Sequence, residues 1–306
     1  MGWHITEDLD EYLAAAGDFL WADPTLHTVE LGVIEALRVH GTDLYGGEPA
    51  LFGWWRAGTG PVSGALLRTR PYPALLSGVP PAAAGDLAEI LADQRRTLAG
   101  VVAERPVAHG FARTWRRRTG TTAKETRRQR LYRLERLDMP SPPPPGAARI
   151  AGPADLDLVT AWHRAFGAEA HEGGARIPAR LIEDKIAYGG VALWEADGVP
   201  VSMAARTPLV SGMARVAPVY TPSEHRRRGY GAAVTAALTR WTLDAGARDV
   251  VLFTDLANPT SNAIYRRIGY RPVIDRLELS FHRDGPSPET STETSLPPED
   301  FHGDGH

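Results

Sequence analysis

The sequence predicts an α/β (α+β) protein in two halves, each built on a mixed central sheet flanked by helices. Three observations carry this expectation. The chain has 306 residues, enough for about two domains. Residues 141–146 read SPPPPG, a run that neither continues a helix nor enters a sheet interior. On either side of it, stretches of period-two and period-3.6 hydrophobicity follow one another in a similar order, which implies a duplication. The expected division is 1–140, a stiff proline-rich spacer at 141–146, a second domain at 147–283, and an acidic disordered tail at 284–306 rich in Pro, Ser and Thr.

The second half is the more legible. RIAGPADLDLVTAWHRAF (149–166) reads as a short strand and then a helix, with Asp155 placed to cap it. PARLIEDKIAYGG (178–190) gives a second helix ending in Gly-Gly. GVALWEADGVPVSMAARTPLV (190–210) reads as two strands around Asp197-Gly198, a dipeptide suited to a tight hairpin. GMARVAPVYTP (212–222) is a further strand, opened by a turn at Ser211-Gly212. Val234, Ala237, Leu238, Trp241 and Ala245 then recur on one helical face. DVVLFTDL (249–256) has the apolar character of a central strand. PTSNAIYRRIGY restarts a helix, and RPVIDRLELSF closes as a strand. The order is β-α-α-β-β-β-α-β-α-β.

The first half is less clear. Residues 7–20 and 27–40 are expected to be helical. ALFGWWRAG (50–58) and PVSGALLRTRPYPAL (61–75) are expected to be strands, and DLAEILADQRRTLAG (86–100) a helix. AERPVAHGFARTWRRRTG (103–120) reads as a turn or strand and then a helix, and TRRQRLYRLERL (126–137) as a late strand.

Composition bounds the chemistry. Apolar residues make up 43% and charged residues 23%, ordinary for a globular chain. There is no cysteine, which removes disulfides, thiolate metal sites and a cysteine nucleophile. No metal is expected. No apolar run is long enough to span a membrane, and the acidic start MGWHITEDLDEYL lacks the order of a secretion signal, so a cytoplasmic protein is expected. The formal charge is −3. Without the six acids of 284–306 the body has 34 basic residues against 31 acidic ones, a mildly positive balance that suits an anionic ligand.

One stretch concentrates that positive charge. EHRRRGYGAAVTAALTR (224–240) runs three arginines into Gly-Tyr-Gly at the start of a helix. Glycine lets backbone N–H groups approach a ligand. The first N–H groups of a helix lack intrahelical acceptors and carry partial positive charge. A phosphate or pyrophosphate site fits this combination; so does a solvated basic turn. It is neither a P-loop nor a GxGxxG dinucleotide turn, because Gly231 is followed by Ala232, Ala233 and Val234.

RRRGYG (226–231) resembles the (Gln/Arg)-x-x-Gly-x-(Gly/Ala) signature of the GNAT acyltransferase superfamily. The order of elements around it and the later NPTSNAIYRRIGY (258–270), with Asn, Tyr and a closing Gly-Tyr pair, are similar to that family as well. The resemblance covers roughly 147–283. It implies that acetyl-coenzyme A is the cofactor, with its pyrophosphate held at Arg226, Arg227, Arg228, Gly229, Tyr230, Gly231 and Ala232. It implies that the pantetheine arm lies along Val219, Tyr220 and Thr221, which needs main-chain pairing only. Asn258 corresponds to a cofactor-contacting asparagine, and equally suits a turn before Pro259. Tyr265 corresponds to the tyrosine that protonates the departing thiolate, and equally suits a core position beside Ile264 and Ile268. An unperturbed phenol, with a pKa of about 10, stays a donor at neutral pH. The implied reaction is direct attack by an amine in a ternary complex, with a small-molecule or peptide acceptor and no covalent enzyme intermediate. The tandem arrangement is also similar to that of mycothiol synthases.

The general base is not fixed by the sequence. Glu169, His171 and Glu172 in a polar glycine-rich loop, and Asp255 at the end of the central strand, are the candidates. The first half lacks the arginine-glycine signature: its corresponding stretch is SGVPPAAAGDLAEIL (77–91), with two prolines and no arginine, so no productive acetyl-coenzyme A binding is expected there. Residues 113–136 hold ten basic residues and two acids. They could bind nucleic acid, but no nucleic-acid motif surrounds them, and solvated faces partly paired with acids of the other half are expected instead. Oligomeric state is not read from the sequence.

Overall fold

The computed structural model describes residues 2–46, 48–170 and 177–283. The proposed tail and the loop residues His171 and Glu172 lie outside the described residues. The first half runs β1 (Gly2–Thr6), α1 (Leu9–Ala22), α2 (Thr28–His40), β2 (Leu51–Arg56), β3 (Val62–Arg68), β4 (Ala74–Ser77), α3 (Pro81–Asp93), β5 (Gly100–Ala103), α4 (Arg105–Thr119) and β6 (Thr121–Leu134). The second runs β7 (Ala147–Ile150), α5 (Leu156–Glu169), α6 (Ala179–Ala187), β8 (Val191–Ala196), β9 (Val199–Arg206), β10 (Met213–Tyr220), α7 (Tyr230–Asp244), β11 (Asp249–Asp255), α8 (Pro259–Arg267) and β12 (Tyr270–Arg283). Short 3-10 turns aside, the two orders are identical, and the duplicated α/β fold with a mixed sheet flanked by helices is present as expected.

The strands form one twelve-stranded sheet in the order β1-β2-β3-β4-β5-β12-β6-β11-β10-β9-β8-β7. The last strand of each half lies in the other half's territory. β12 pairs with β5, from Leu277↔Ala103 to Ser280↔Gly100. β6 pairs with β11, from Val251↔Arg133 to Asp255↔Gln129. β6 and β12 pair with each other from Tyr270↔Leu134 to Arg283↔Thr121. Near the middle of that ladder Arg130 grips the Asp275 carboxylate with Nε and Nη2 at 2.6 and 2.8 Å, and this holds the Asp275 carboxyl below its ordinary range.

The exchange is built into the cores. Leu277, Leu279 and Phe281 of β12 belong to the first-half core with Phe111 and Trp115, and Phe281 stacks on Trp115 with ring centroids 5.8 Å apart. Tyr132 of β6 is fully buried in the second-half core with Leu252, Tyr265 and Tyr270. Burying such aromatic and aliphatic side chains is worth about 1.5–3 kcal/mol each. Neither half completes its sheet or its core without the other.

Local chemistry explains most boundaries. Asp197 and Gly198 both adopt positive φ, 51° and 75°, as a two-residue hairpin turn between β8 and β9 requires. Gly269 combines φ 103° with an approach so close that a Cβ there would sit 1.7 Å from the Arg136 carbonyl oxygen. α7 is buried on nearly every side between Tyr230 and Thr239, not on one face alone, because its alanines let it lie tightly on β8, β9 and β10.

Several expectations differ from the structure. β1 and β5 are strands the periodicity did not reveal. Residues 61–75 divide into β3 and β4, and α3 begins at Pro81, five residues earlier than read. Proline is favoured in a helix's first turn, where its missing N–H costs nothing. Asp155 stands at the N-cap position of α5, but its side chain makes no capping hydrogen bond to that helix. Its carboxylate is held by Arg149 at 2.7 and 2.8 Å and by the Gly152 N–H. The proline run at 141–146 is anchored at one point, where the Trp194 indole donates to the Pro145 carbonyl at 2.9 Å.

Candidate active site

β10 and β11 are parallel neighbours only from Met213↔Asp249 to Val216↔Leu252. Beyond that register they part. β10 continues beside β9 through Val219↔Ala204 and Tyr220↔Met203, while β11 continues beside β6 through Phe253↔Leu131 to Asp255↔Gln129. The result is a fork whose arms are residues 217–220 and 253–255. Among the described residues the inward edge of the 217–220 arm has no strand partner, so its backbone polar groups are available to an extended ligand. Pro218 contributes no N–H to this edge.

Each arm leads to a helix start. After Thr221 the chain turns through Arg226, Arg227 and Arg228, all exposed, into α7. Arg227 has φ 62° and Gly229 has φ 86°. Gly229 is the N-cap of α7, and among the described residues no side chain caps the helix. The N–H groups of Tyr230, Gly231 and Ala232 therefore have no intrahelical acceptors. Tyr230 and Ala232 bury their side chains in the core, so only their backbone faces the turn. A Cβ on Gly231 would lie 3.4 Å from Thr221 Oγ1, and one on Gly229 would lie 3.7 Å from Pro144 Cβ. Thr221 and the proline run thus flank the turn without covering it. Ser202 ties the arm down, with its Oγ 2.8 Å from Thr221 Oγ1 and donating to the Tyr220 carbonyl at 3.1 Å.

The other arm ends in α8. Asn258 is exposed and is the helix N-cap, its Oδ1 accepting from the Ser261 N–H at 3.0 Å. This is the turn-forming role that its sequence also allowed. Asn262, not singled out by sequence, locks the turn. Its Nδ2 donates to the Asp255 and Asn258 carbonyls at 2.8 and 2.7 Å, and its Oδ1 accepts from the Tyr132 hydroxyl at 2.9 Å. Tyr132 comes from the exchanged strand β6, a relationship no local pattern announces.

Tyr265, on α8, is 8% exposed and packs in one core with Val216 and Leu252 at the fork's apex and with Tyr230. Its ring meets Tyr270 edge-on at 6.2 Å. Burial pushes its phenol up to about 12, so it is a neutral proton donor throughout the ordinary pH range.

The expected bases fare differently. Glu169 sits at the end of α5, and its two carboxylate oxygens lie 2.7 and 2.6 Å from Arg226 Nη2. This carboxylate is engaged by one of the arginines of the turn. Asp255 accepts the Ala257 N–H at 2.8 Å and shapes the β11–α8 turn.

The corresponding fork of the first half is filled. β4 and β5 pair through Ala74↔Val101 and Leu75↔Val102, and the next hydroxyl, Ser77, donates to the fully buried Glu30. Arg276, reaching over from β12, donates to the Leu26 carbonyl at 2.6 Å and to Ser77 Oγ at 3.3 Å. Phe19 lies against Gly78, and Pro80 and Pro81 open α3. The basic residues of 113–136 spread over α4 and β6 and are extensively ion-paired. Arg117 meets Glu89 and Arg118 meets Asp93. Arg130 and Arg133 meet Asp275 and Asp249 of the second half. Among the described residues no helix is long and apolar enough to cross a membrane.

An α/β sheet that forks between its central parallel strands at an exposed helix start defines a recognisable class. Residues 157–270 match the family model described as Acetyltransferase (GNAT) family, and this part of the chain is a GNAT domain. Solved structures carry the same fold over most of the chain. A GNAT-family acetyltransferase from Colwellia psychrerythraea is 12% identical with a TM-score of 0.56, covering 92% of this chain and 100% of its own. A GCN5-related N-acetyltransferase from Sphaerobacter thermophilus is 18% identical with a TM-score of 0.56, covering 91% and 95%. A tandem GNAT protein from the clavulanic acid biosynthesis pathway is 16% identical with a TM-score of 0.52, covering 94% and 100%. At these identities the likeness concerns the fold. No curated protein matches the chain.

Proposed function

We propose that the protein is an acetyl-coenzyme A dependent N-acetyltransferase whose second half carries the reaction. The observation that supports this best is the pairing of a helix start at Gly229–Ala232, which no side chain among the described residues caps, with the fork between β10 and β11. The residues fit the cofactor. Free N–H groups at the start of α7, with the guanidinium groups of Arg227 and Arg228 beside them, suit a pyrophosphate. The unpartnered edge at Val219 and Tyr220, leading to Thr221, suits an extended amide-bearing arm. When bound, acetyl-coenzyme A supplies an activated acetyl thioester.

The remaining chemistry falls to this chain's own groups. The Tyr265 hydroxyl, neutral and buried near the fork's apex, holds the proton that a departing thiolate needs. Buried apolar neighbours of the apex, Val216 and Leu252, keep water from competing with an amine acceptor. The acceptor is a small-molecule or peptide amine that attacks directly in a ternary complex. Asn258 shapes the second arm through its cap and borders the cofactor. The second half is taken to act as one catalytic unit spanning 147–283, completed by β6.

Isothermal titration of coenzyme A into the full chain tests the reading: one site per chain is expected, lost in Gly229→Glu. With an acceptor library and free-thiol detection, Tyr265→Phe is expected to lower kcat about 100-fold or more while coenzyme A affinity stays within about threefold. Absence of coenzyme A binding to the unmodified chain rejects the reading.

A further inference from the structure

A cleft of about 760 Å³ opens in the first half, at the end of its sheet opposite the start of α3. The end of β1, the approach to β2, the β3–β4 turn and the α3–β5 connection surround it. Four arginines line it, Arg68, Arg70, Arg95 and Arg96, with only two carboxylates, Glu7 and Glu48. Arg68 closes β3 and is 2% exposed. Its Nη1 lies 3.3 Å from Glu48 Oε2, and its buried Nε has no hydrogen-bond partner among the described residues. A buried donor left without an acceptor is costly, and charged ones more so. Arg70 Nη1 takes the other Glu48 oxygen at 2.9 Å. Two guanidinium groups thus converge on one carboxylate, a geometry matched to planar or tetrahedral oxyanions.

Glu48 is not buried with Arg68. Its side chain is 46% exposed and comes from the segment leading into β2. Arg95, held at φ 53° by the α3–β5 turn, is exposed on the same cleft, and its side chain has no ion pair or hydrogen bond among the described residues. Arg96 pairs with Glu7 at 2.6 Å. The cleft is therefore lined by a buried arginine whose Nε has no partner among the described residues, by an exposed cation unpaired among them, and by a carboxylate that can be exchanged for another.

We infer that this cleft is a ligand site for a small anion bearing two or more carboxylate or phosphate groups, with Glu48 standing in the place of one such group in the free protein. It is separate from the arginine-glycine turn of the second half and does not depend on the acyl-transfer reading. Isothermal titration of the full chain with citrate and, separately, with inorganic pyrophosphate tests it, with glycerol as the neutral control. Saturable binding of citrate, pyrophosphate or both is expected, and the tighter of the two identifies the preferred group. Arg70→Ala, at a half-buried position, and Arg95→Ala, at an exposed one, are each expected to weaken binding about tenfold, and Glu48→Gln to tighten it about threefold or more as the internal competitor is removed. In Gly229→Glu, which removes any binding at the start of α7, the binding that depends on Arg70 and Arg95 is expected to remain. The inference is overturned if neither anion binds, if the affinity is indifferent to Arg70→Ala and Arg95→Ala in folded protein, or if Gly229→Glu abolishes it. A Glu48→Gln variant that binds no more tightly overturns the stand-in role.

Discussion

The Tyr132 hydroxyl donates to Asn262 Oδ1 at 2.9 Å, so a strand of the first half fixes the turn at the mouth of the second half's fork. Removing that hydroxyl leaves the Asn262 amide with its two carbonyl acceptors and no donor to its oxygen. Tyr132→Phe is expected to lower stability by about 1 kcal/mol and to raise the KM for acetyl-coenzyme A about fivefold through looser positioning of the turn. Steady-state kinetics beside a thermal melt decide between roles: a lowered Tm with unchanged KM would make the bond purely structural.

Glu169 and Arg226 form an exposed pair on the same rim. If Glu169 only occupies Arg226 in the absence of an anion, Glu169→Gln frees the guanidinium. Coenzyme A affinity should then rise about threefold, the order expected for an exposed charge contact, with kcat nearly unchanged. A fall in kcat of two orders of magnitude would instead assign Glu169 as the base.

His163 offers a pH-dependent readout of the second-half core. It is buried on α5, with Nδ1 2.9 Å from the Val159 carbonyl and Nε2 without a partner among the described residues. Desolvation lowers its pKa to about 4, so the ring is neutral in the fold. The unfolded chain binds a proton near pH 6.5, and the folded one only near pH 4. The contribution is complete above pH 6.5 and lost as pH falls to about 4, on the order of 3 kcal/mol. His163→Leu should flatten that part of the stability profile relative to the parent; identical slopes in urea titrations across pH 4–7 would contradict it.

Severing the chain between 140 and 147 tests the strand exchange. Each fragment alone would expose a long unpaired strand and an open sheet edge, conditions that favour aggregation. Neither fragment is expected to give a cooperative melt by circular dichroism, while the co-expressed pair should purify together with coenzyme A binding restored. Two fragments that melt cooperatively on their own would show that the halves are self-sufficient.

Much of the fold was legible because its determinants are local. The Asp197-Gly198 hairpin, the apolar run of β11 and the arginine-glycine turn each carry their reason within a few residues. β5 was hidden because its four residues, GVVA, are too short for a periodic pattern. α3 begins earlier than the helix expected from Asp86, because Pro81 occupies its first position. The family likeness implied only main-chain pairing along Val219, Tyr220 and Thr221; the fork itself depends on where β10 and β11 stop pairing, a property of two segments separated by the whole of α7. For the same reason the Glu169–Arg226 pair, the Tyr132–Asn262 bond and the filled first-half fork were invisible: each joins residues remote in sequence.

The placement of β12 beside β5 also orders the protein's own making. A nascent first half leaves the ribosome with β5 facing an empty lane and with Phe111 and Trp115 lacking the Phe281 ring. That gap persists until residues 270–283 have been synthesised, so the earliest-made core is the last to be sealed, and its exposed flank is where a chaperone would find its handhold.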